Sequence, residues 1–189
     1  MTKKELRVKY KAKRIALSSK DRDKLDDLLL IQFQKLSFEN VSTLLSYMPM
    51  PHTAEPDTHL FTRYLEHLIP GLQTAFPKTN FTDHSMQAIA VDEDAEFAMN
   101  EFQITEPAGD NIILPTEIDL VFVPMLICDK RGYRVGYGKG FYDRYLAQCH
   151  EDIITVGFSY FEPEEQIDDL NEHDVPLHYC ITPDFVYEF

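Results

Sequence analysis

The sequence predicts an α/β fold, a mainly parallel sheet flanked by helices in a single domain, and three observations carry that expectation. With 189 residues the chain can bury one substantial core and is too short for two ordinary ones. The run Ile118-Asp119-Leu120-Val121-Phe122-Val123-Pro124 is nearly continuous in branched and aromatic residues, as in a strand covered on both faces, and Ile153 to Phe158 repeats the pattern. Between these runs lie a glycine-rich loop and a candidate helix, Tyr142 to Cys149, so that strand, loop, helix and strand form a βαβ unit.

The remaining elements follow in order. Leu6, Tyr10 and Leu17 approximate one face of an N-terminal helix, and Ser18-Ser19 offers a break and a cap for the next. A second helix is expected from about Asp21 to Leu36, with Leu25, Leu28, Leu29, Phe33 and Leu36 at helical spacing. Val41 to Tyr47 reads as a strand stopped by Pro49 and Pro51. Asp57-Thr58 can cap a third helix through Leu68, ended by Pro70-Gly71. Met86 to Val91 alternates weakly as a strand does, and the acidic stretch Asp92 to Glu96 reads as solvated surface.

Composition narrows the function. Hydrophobic residues at 44% and charged ones at 26% are globular values, and no apolar run reaches the roughly 18 residues of a membrane span. The start, Met-Thr-Lys-Lys-Glu-Leu-Arg, lacks the apolar stretch of a signal peptide. A cytoplasmic protein without a membrane partner is therefore expected. Cys128, Cys149 and Cys180 match neither a disulfide framework nor a Cys-x-x-Cys metal site, and are expected reduced and buried. The net charge of -14 argues against nucleic acid as a partner, since phosphate contacts need a basic surface. Residues 1–14 depart from this balance, with seven Lys/Arg against the single acid Glu5, and could meet a small anionic ligand.

The segment Arg134-Val135-Gly136-Tyr137-Gly138-Lys139-Gly140-Phe141-Tyr142-Asp143-Arg144 concentrates the candidate chemistry. Four of the chain's seven glycines fall between Gly132 and Gly140. Glycines at alternate positions let a backbone close around an anion with its N–H groups free to point at phosphate oxygens. Arg134 and Lys139 add cationic donors, the following helix would turn its N-terminus to the same place, and Asp143 supplies a hard oxygen ligand where a magnesium ion bridging phosphates belongs. No Walker A pattern occurs. A solvated surface loop is the plainer reading, and the density of glycines, charges and aromatics directly after a buried-type strand sets it aside.

These residues resemble the 5-formyltetrahydrofolate cyclo-ligases, also called 5,10-methenyltetrahydrofolate synthetases. Val123-Pro124, Asp129, Gly132, the motif from Arg134 to Arg144, Glu172-His173-Asp174 and Thr182 carry the likeness. Lys3-Lys4-Glu5-Leu6-Arg7, Glu55-Pro56-Asp57-Thr58 and Glu106-Pro107 extend it over nearly the whole chain. The resemblance implies a three-layer, Rossmann-like sandwich similar to the sugar-phosphate isomerase and CoA-transferase folds. It implies ATP as co-substrate and Mg2+ as cofactor.

Carried over by position, the resemblance assigns ATP to Lys3, Lys4, Arg7, Arg134, Gly136, Tyr137, Gly138, Lys139, Gly140, Phe141 and Tyr142. It assigns catalysis to Lys139, Arg134 and Tyr142, the folate to Leu45, Glu55, Tyr137 and Phe141, and the metal to Asp143 and Asp174. The four-residue spacing of Lys3 and Arg7 suits a joint grip on one anion. Asp143→Ala is expected to lose nearly all turnover while remaining folded. Met125 and Val135 depart from the family's usual glycine and leucine, and Tyr47 to Ala54 is longer and richer in proline than in many relatives. Small molecules are the expected partners, and a monomer the expected state. The rival expectations are a nucleotide-binding module without chemistry and an isomerase or transferase on a related fold, whose turnover would not need ATP.

Overall fold

The computed structural model describes residues 1–189 apart from the Pro51 side chain. Helix α1 spans Lys3–Ile15 and opens on a capping box, in which the Thr2 side chain accepts from the Glu5 N–H while Glu5 accepts from the Thr2 N–H. Helix α2, Ser19–Phe33, begins where Ser18 accepts from the Asp21 N–H, and α3, Thr58–Leu68, begins where Asp57 accepts from the His59 N–H. The short α4 covers Phe141–Leu146, ending nearly a full turn before the Cys149 expected at its far end.

Twelve strands complete the chain. They are β1 Thr43–Leu45, β2 Gln73–Asn80, β3 Ser85–Val91, β4 Phe97–Met99, β5 Thr105–Pro107, β6 Ile112–Ile113, β7 Leu120–Phe122, β8 Ile127–Cys128, β9 Arg134–Val135, β10 Ile154–Phe158, β11 Tyr179–Ile181 and β12 Val186–Glu188. Eight of them form one sheet in the order β12-β11-β10-β7-β1-β2-β3-β6. The central five, β11 to β2, run parallel, and antiparallel strands close both edges. Pairs β4–β5 and β8–β9 are separate hairpins.

Alternation along the central strands splits the core into two layers. Leu44, Leu120, Phe122, Val156 and Phe158 face α2 and α3, where Leu29, Phe33, Phe61 and Leu65 meet them. Phe33 is the hub of that layer, with the rings of Phe38, Phe61, Tyr64, Phe122 and Phe158 all within 6.0 Å of its centroid. Leu45, Val121, Val123 and Met125 face the opposite side, where Tyr145 and Leu146 of α4 cover them. Helix α1 packs Leu6 and Tyr10 against Leu126, Ile127 and Val135 of the β8–β9 hairpin. The result is the three-layer α/β sandwich expected from the sequence.

Three expectations shift for physical reasons. Strand β2 lay outside the sequence reading because Pro77 sits inside it; that proline lies beyond the three β2 residues paired with β1, where the strand needs partners on one side only. Leu28 sits at helical spacing but points outward at 38% exposure, while Asp26 on the same helix is buried. Cys149 is half-buried rather than buried, and all three cysteines are free.

Asp26 accepts from the Tyr160 hydroxyl at 2.8 Å and the Asp57 N–H at 3.2 Å, tying α2 to the start of α3. Burial pushes its carboxyl up to about 6, against the opposing hydrogen bonds. A carboxyl raised in the folded state favours its protonated form, so its contribution is intact near pH 4 and lost as pH rises through about 6. Asp26→Asn, which keeps an acceptor without the charge, should stabilise the protein by about 1–3 kcal/mol at pH 7.5, with the gain shrinking toward zero near pH 4 in urea titrations.

Candidate active site

The sheet order reverses between β1 and β7: from β1 the chain adds β2 on one side, and later β7, β10 and β11 on the other. An open α/β sheet leaves a crevice beyond its strand ends at such a reversal. Here it is a cavity of about 1140 Å³, whose wall includes Tyr47 and Met48 just past β1 and Pro124 just past β7. That volume exceeds the range of roughly 300–1,000 Å³ usual for one small ligand.

One face of α1 contributes Lys3, Arg7 and Lys11, one per turn. The glycine loop faces it. Gly138 has φ +88 and Gly140 φ +69, a region that side chains disfavour, and a Cβ on Gly138 would meet the Arg7 guanidinium at 3.3 Å. Arg7 donates to the Gly136 carbonyl at 2.9 Å, so the helix and the loop are tied where they come closest. Arg144 ties the far end of the loop, donating to the Lys139 carbonyl at 2.5 Å and to the His84 carbonyl at 3.1 Å.

Two ion pairs occupy one end of the cavity. Lys3 Nζ lies 2.5 Å from Asp174 Oδ2, with both side chains largely buried. Arg134 lies 2.8 Å from Asp143 Oδ1 with its side chain 6% exposed, and also donates to the Val175 carbonyl. The Val175 N–H donates to Asp143 at 3.2 Å, which joins the two pairs through the 171–175 loop. Burial pulls the Arg134 guanidinium down, and Asp143 with Asp174 oppose the shift.

At the other end Glu55 is buried, with Oε1 accepting from the Tyr137 hydroxyl at 2.5 Å and Oε2 from the Met50 N–H at 2.6 Å. Burial raises its carboxyl, and the hydrogen bonds from Tyr137 and Met50 and the charge of Arg14 work against that rise. The Tyr142 hydroxyl is buried without a protein partner. Burial and the Glu55 charge push that phenol well above its ordinary value, so it stays a donor. Phe81 stacks on Phe102 of the β4–β5 connection at 3.7 Å and meets Phe141 edge-on at 5.1 Å, which makes an aromatic side wall.

The sequence model of the 5-formyltetrahydrofolate cyclo-ligase family matches residues 1–183. The chain belongs to that family. It is 37% identical over 102 residues to the 5-formyltetrahydrofolate cyclo-ligase of Haemophilus influenzae, a match covering 51% of this chain and 54% of that protein. The chain thus spans about half the length of that curated relative. The NMR structure of Aquifex aeolicus 5,10-methenyltetrahydrofolate synthetase is similar with a TM-score of 0.81 and 29% identity, over 100% of this chain and 93% of that one. The Mycoplasma pneumoniae 5,10-methenyltetrahydrofolate synthetase follows with a TM-score of 0.75 and 26% identity, over 96% of this chain and 98% of that one.

In this cyclo-ligase family member the cavity gathers Lys3, Arg7, Glu55, Arg134, Gly136 to Asp143, and Asp174 from four separate stretches of sequence. Two expected residues lie elsewhere. Lys4 is exposed, a hundred degrees around α1 from Lys3. Leu45 is fully buried in the core with Ala75 and Val121, beneath the cavity rather than in its wall. The sequence reading missed Lys11, Tyr47, Met48, His52, Phe81 and Phe102. Lys11 alone had a visible signal, as the next turn after Lys3 and Arg7.

Asp143 also proves less simple than a free metal ligand. Removing it leaves the Arg134 guanidinium buried without the carboxylate it contacts, so Asp143→Ala, expected to remain folded, should do so with reduced stability. Asp143→Ala should lose about 1–3 kcal/mol in urea unfolding, whereas Asp143→Asn, which still accepts from Arg134 and Val175, should lose about half of that or less.

Proposed function

We propose that this chain converts 5-formyltetrahydrofolate to 5,10-methenyltetrahydrofolate using ATP and Mg2+, with release of ADP and phosphate. The observation that carries the reading is the crossed pairing at one end of the cavity. Two of the cations assigned to phosphate, Lys3 and Arg134, each lie against a carboxylate assigned to the metal, Asp174 and Asp143. A lone cation would meet the two carboxylates but also their Lys and Arg partners, and a lone anion would meet the reverse. A magnesium nucleotide supplies both charges, so that the carboxylates and the cations exchange partners together.

Among the described residues no three His, Cys, Asp or Glu side chains are grouped to hold a metal ion alone. Two carboxylates in one wall suit Mg2+, which keeps several waters and takes the rest of its ligands from phosphate oxygens. Asp143 and Asp174 would hold the ion, which when bound neutralises and orients the phosphates.

A formyl amide is a weak electrophile, and its oxygen cannot leave as oxide. Transfer of the terminal phosphoryl group of ATP to that oxygen lets it leave as phosphate when the second folate nitrogen closes on the formyl carbon. Such chemistry asks the protein for alignment and charge rather than a nucleophile. Lys139, Arg134, Lys3 and Arg7 spread the phosphate charge, and glycine-loop N–H groups receive the phosphate oxygens. Glu55 accepts from the N–H groups of the pterin, whose ring lies against Tyr137 and Phe141, and Tyr142 donates to the reacting pair from its dry position. The free cysteines suit a reducing cytoplasm.

The purified protein mixed with 5-formyltetrahydrofolate and magnesium ATP should form the methenyl product, followed by near-ultraviolet absorbance, and omission of any one component should stop it. ATP binding without product would favour the nucleotide-binding module, and turnover without ATP the isomerase or transferase reading. Asp143→Asn should lower kcat at least about 100-fold. By calorimetry the parent should bind ATP about tenfold more weakly without Mg2+, a dependence that Asp143→Asn should lessen.

A further inference from the structure

Arg14 lies in the last turn of α1, and its side chain is fully buried, the largest such side chain in the protein. A guanidinium out of water costs several kcal/mol unless it is compensated. Its hydrogen-bond partners are neutral: Nη2 donates to the Met125 carbonyl at 2.5 Å and Nη1 to the Tyr137 hydroxyl at 3.2 Å. The Nε group is buried without a partner. A leucine or methionine would fill this position without that cost.

The carboxylate that answers this charge is one hydroxyl away. Tyr137 accepts from Arg14 and donates its single O–H to Glu55 Oε1 at 2.5 Å, while the Met50 N–H holds Oε2. We infer that Arg14 is a positioning residue which, through the Tyr137 hydroxyl, orients the Glu55 carboxylate and keeps it negatively charged for the substrate. The inference rests on the reading that Glu55 grips the folate.

The geometry leaves Glu55 equipped for that task. Each carboxylate oxygen has two acceptor positions and spends one on the protein, so one on each oxygen stays available to a pair of ligand N–H groups. The carboxylate must be ionised to accept from both. Burial works against ionisation, while the hydrogen bonds from the Tyr137 hydroxyl and the Met50 N–H favour it. The cations that favour it are His52, on the same loop and exposed, and Arg14, from the opposite side and dry. A buried charge is screened less by salt and water than an exposed one, so Arg14 carries more of the effect at neutral pH. Polarisation of the intervening phenol strengthens the bond to Glu55.

The test measures KM for 5-formyltetrahydrofolate, KM for ATP and kcat from pH 5.5 to 8.5 in the parent, Arg14→Met, Arg14→Lys and Tyr137→Phe. Arg14→Met should raise the folate KM about tenfold at pH 7 and move the acidic limb of kcat/KM for folate up by about one pH unit. The ATP KM should change less than about twofold, Arg14→Lys should restore much of the parent limb, and Tyr137→Phe should shift that limb in the same direction while leaving the guanidinium in place. An unmoved limb in both Tyr137→Phe and the soluble Arg14 variants, or equal losses for folate and ATP at every pH, would reduce Arg14 to a structural role and overturn the inference. Glu55→Gln run in parallel separates the two failures: an unchanged folate KM there sinks the reading of Glu55 itself, whereas a raised one with unaffected Arg14 and Tyr137 variants sinks only the relay.

Discussion

Arg134 meets Asp143 almost out of water, and this contact joins the parts on which the cavity depends. Arg134 belongs to the β9 edge of a hairpin, Asp143 to the first turn of α4, and Val175 bonds to both from a loop before β11. A buried ion pair gives little net stability, because desolvation offsets attraction, but breaking one half of it is costly. That asymmetry keeps three distant segments in register. Lys3 and Asp174 repeat the arrangement with α1, so the N-terminal helix is fastened to the same loop.

The sheet explains why these segments meet there. Strand order reverses between β1 and β7, and the loops that leave those two strands cannot both cover the gap. The gap receives α1 on one side, the glycine loop on another and the β4–β5 hairpin on a third. Glycine at 138 is required by its φ of +88 and by the Arg7 guanidinium packed against it, so local conformation and the approach of α1 impose the same residue. The cavity has an ionic end at Asp143 and Asp174 and a dry polar end at Glu55, a division that suits one highly charged and one flat aromatic substrate.

Much of the architecture was legible because it rests on short-range rules. Ser18 and Asp57 cap the helices they were expected to cap, and the runs at Leu120 and Ile154 are the central strands that their branched residues announce. Strand β2 was not, because a proline in a strand is tolerable only where one side needs no partner, and that is a property of the finished sheet. Lys4 and Leu45 show the same limit in the site. Family position placed them near the ligand, while helix phase turns Lys4 to solvent and strand alternation turns Leu45 into the core.

By itself the sequence determined the α/β class, the glycine loop and the family, because repeating patterns and a dense motif depend only on neighbours along the chain. Tertiary structure decided which charges face one another. Lys3 and Asp174 are 171 residues apart and Arg14 and Tyr137 are 123 apart, so no local pattern could pair them. Burial gives these contacts their consequence, since the same groups in water would be screened and nearly independent.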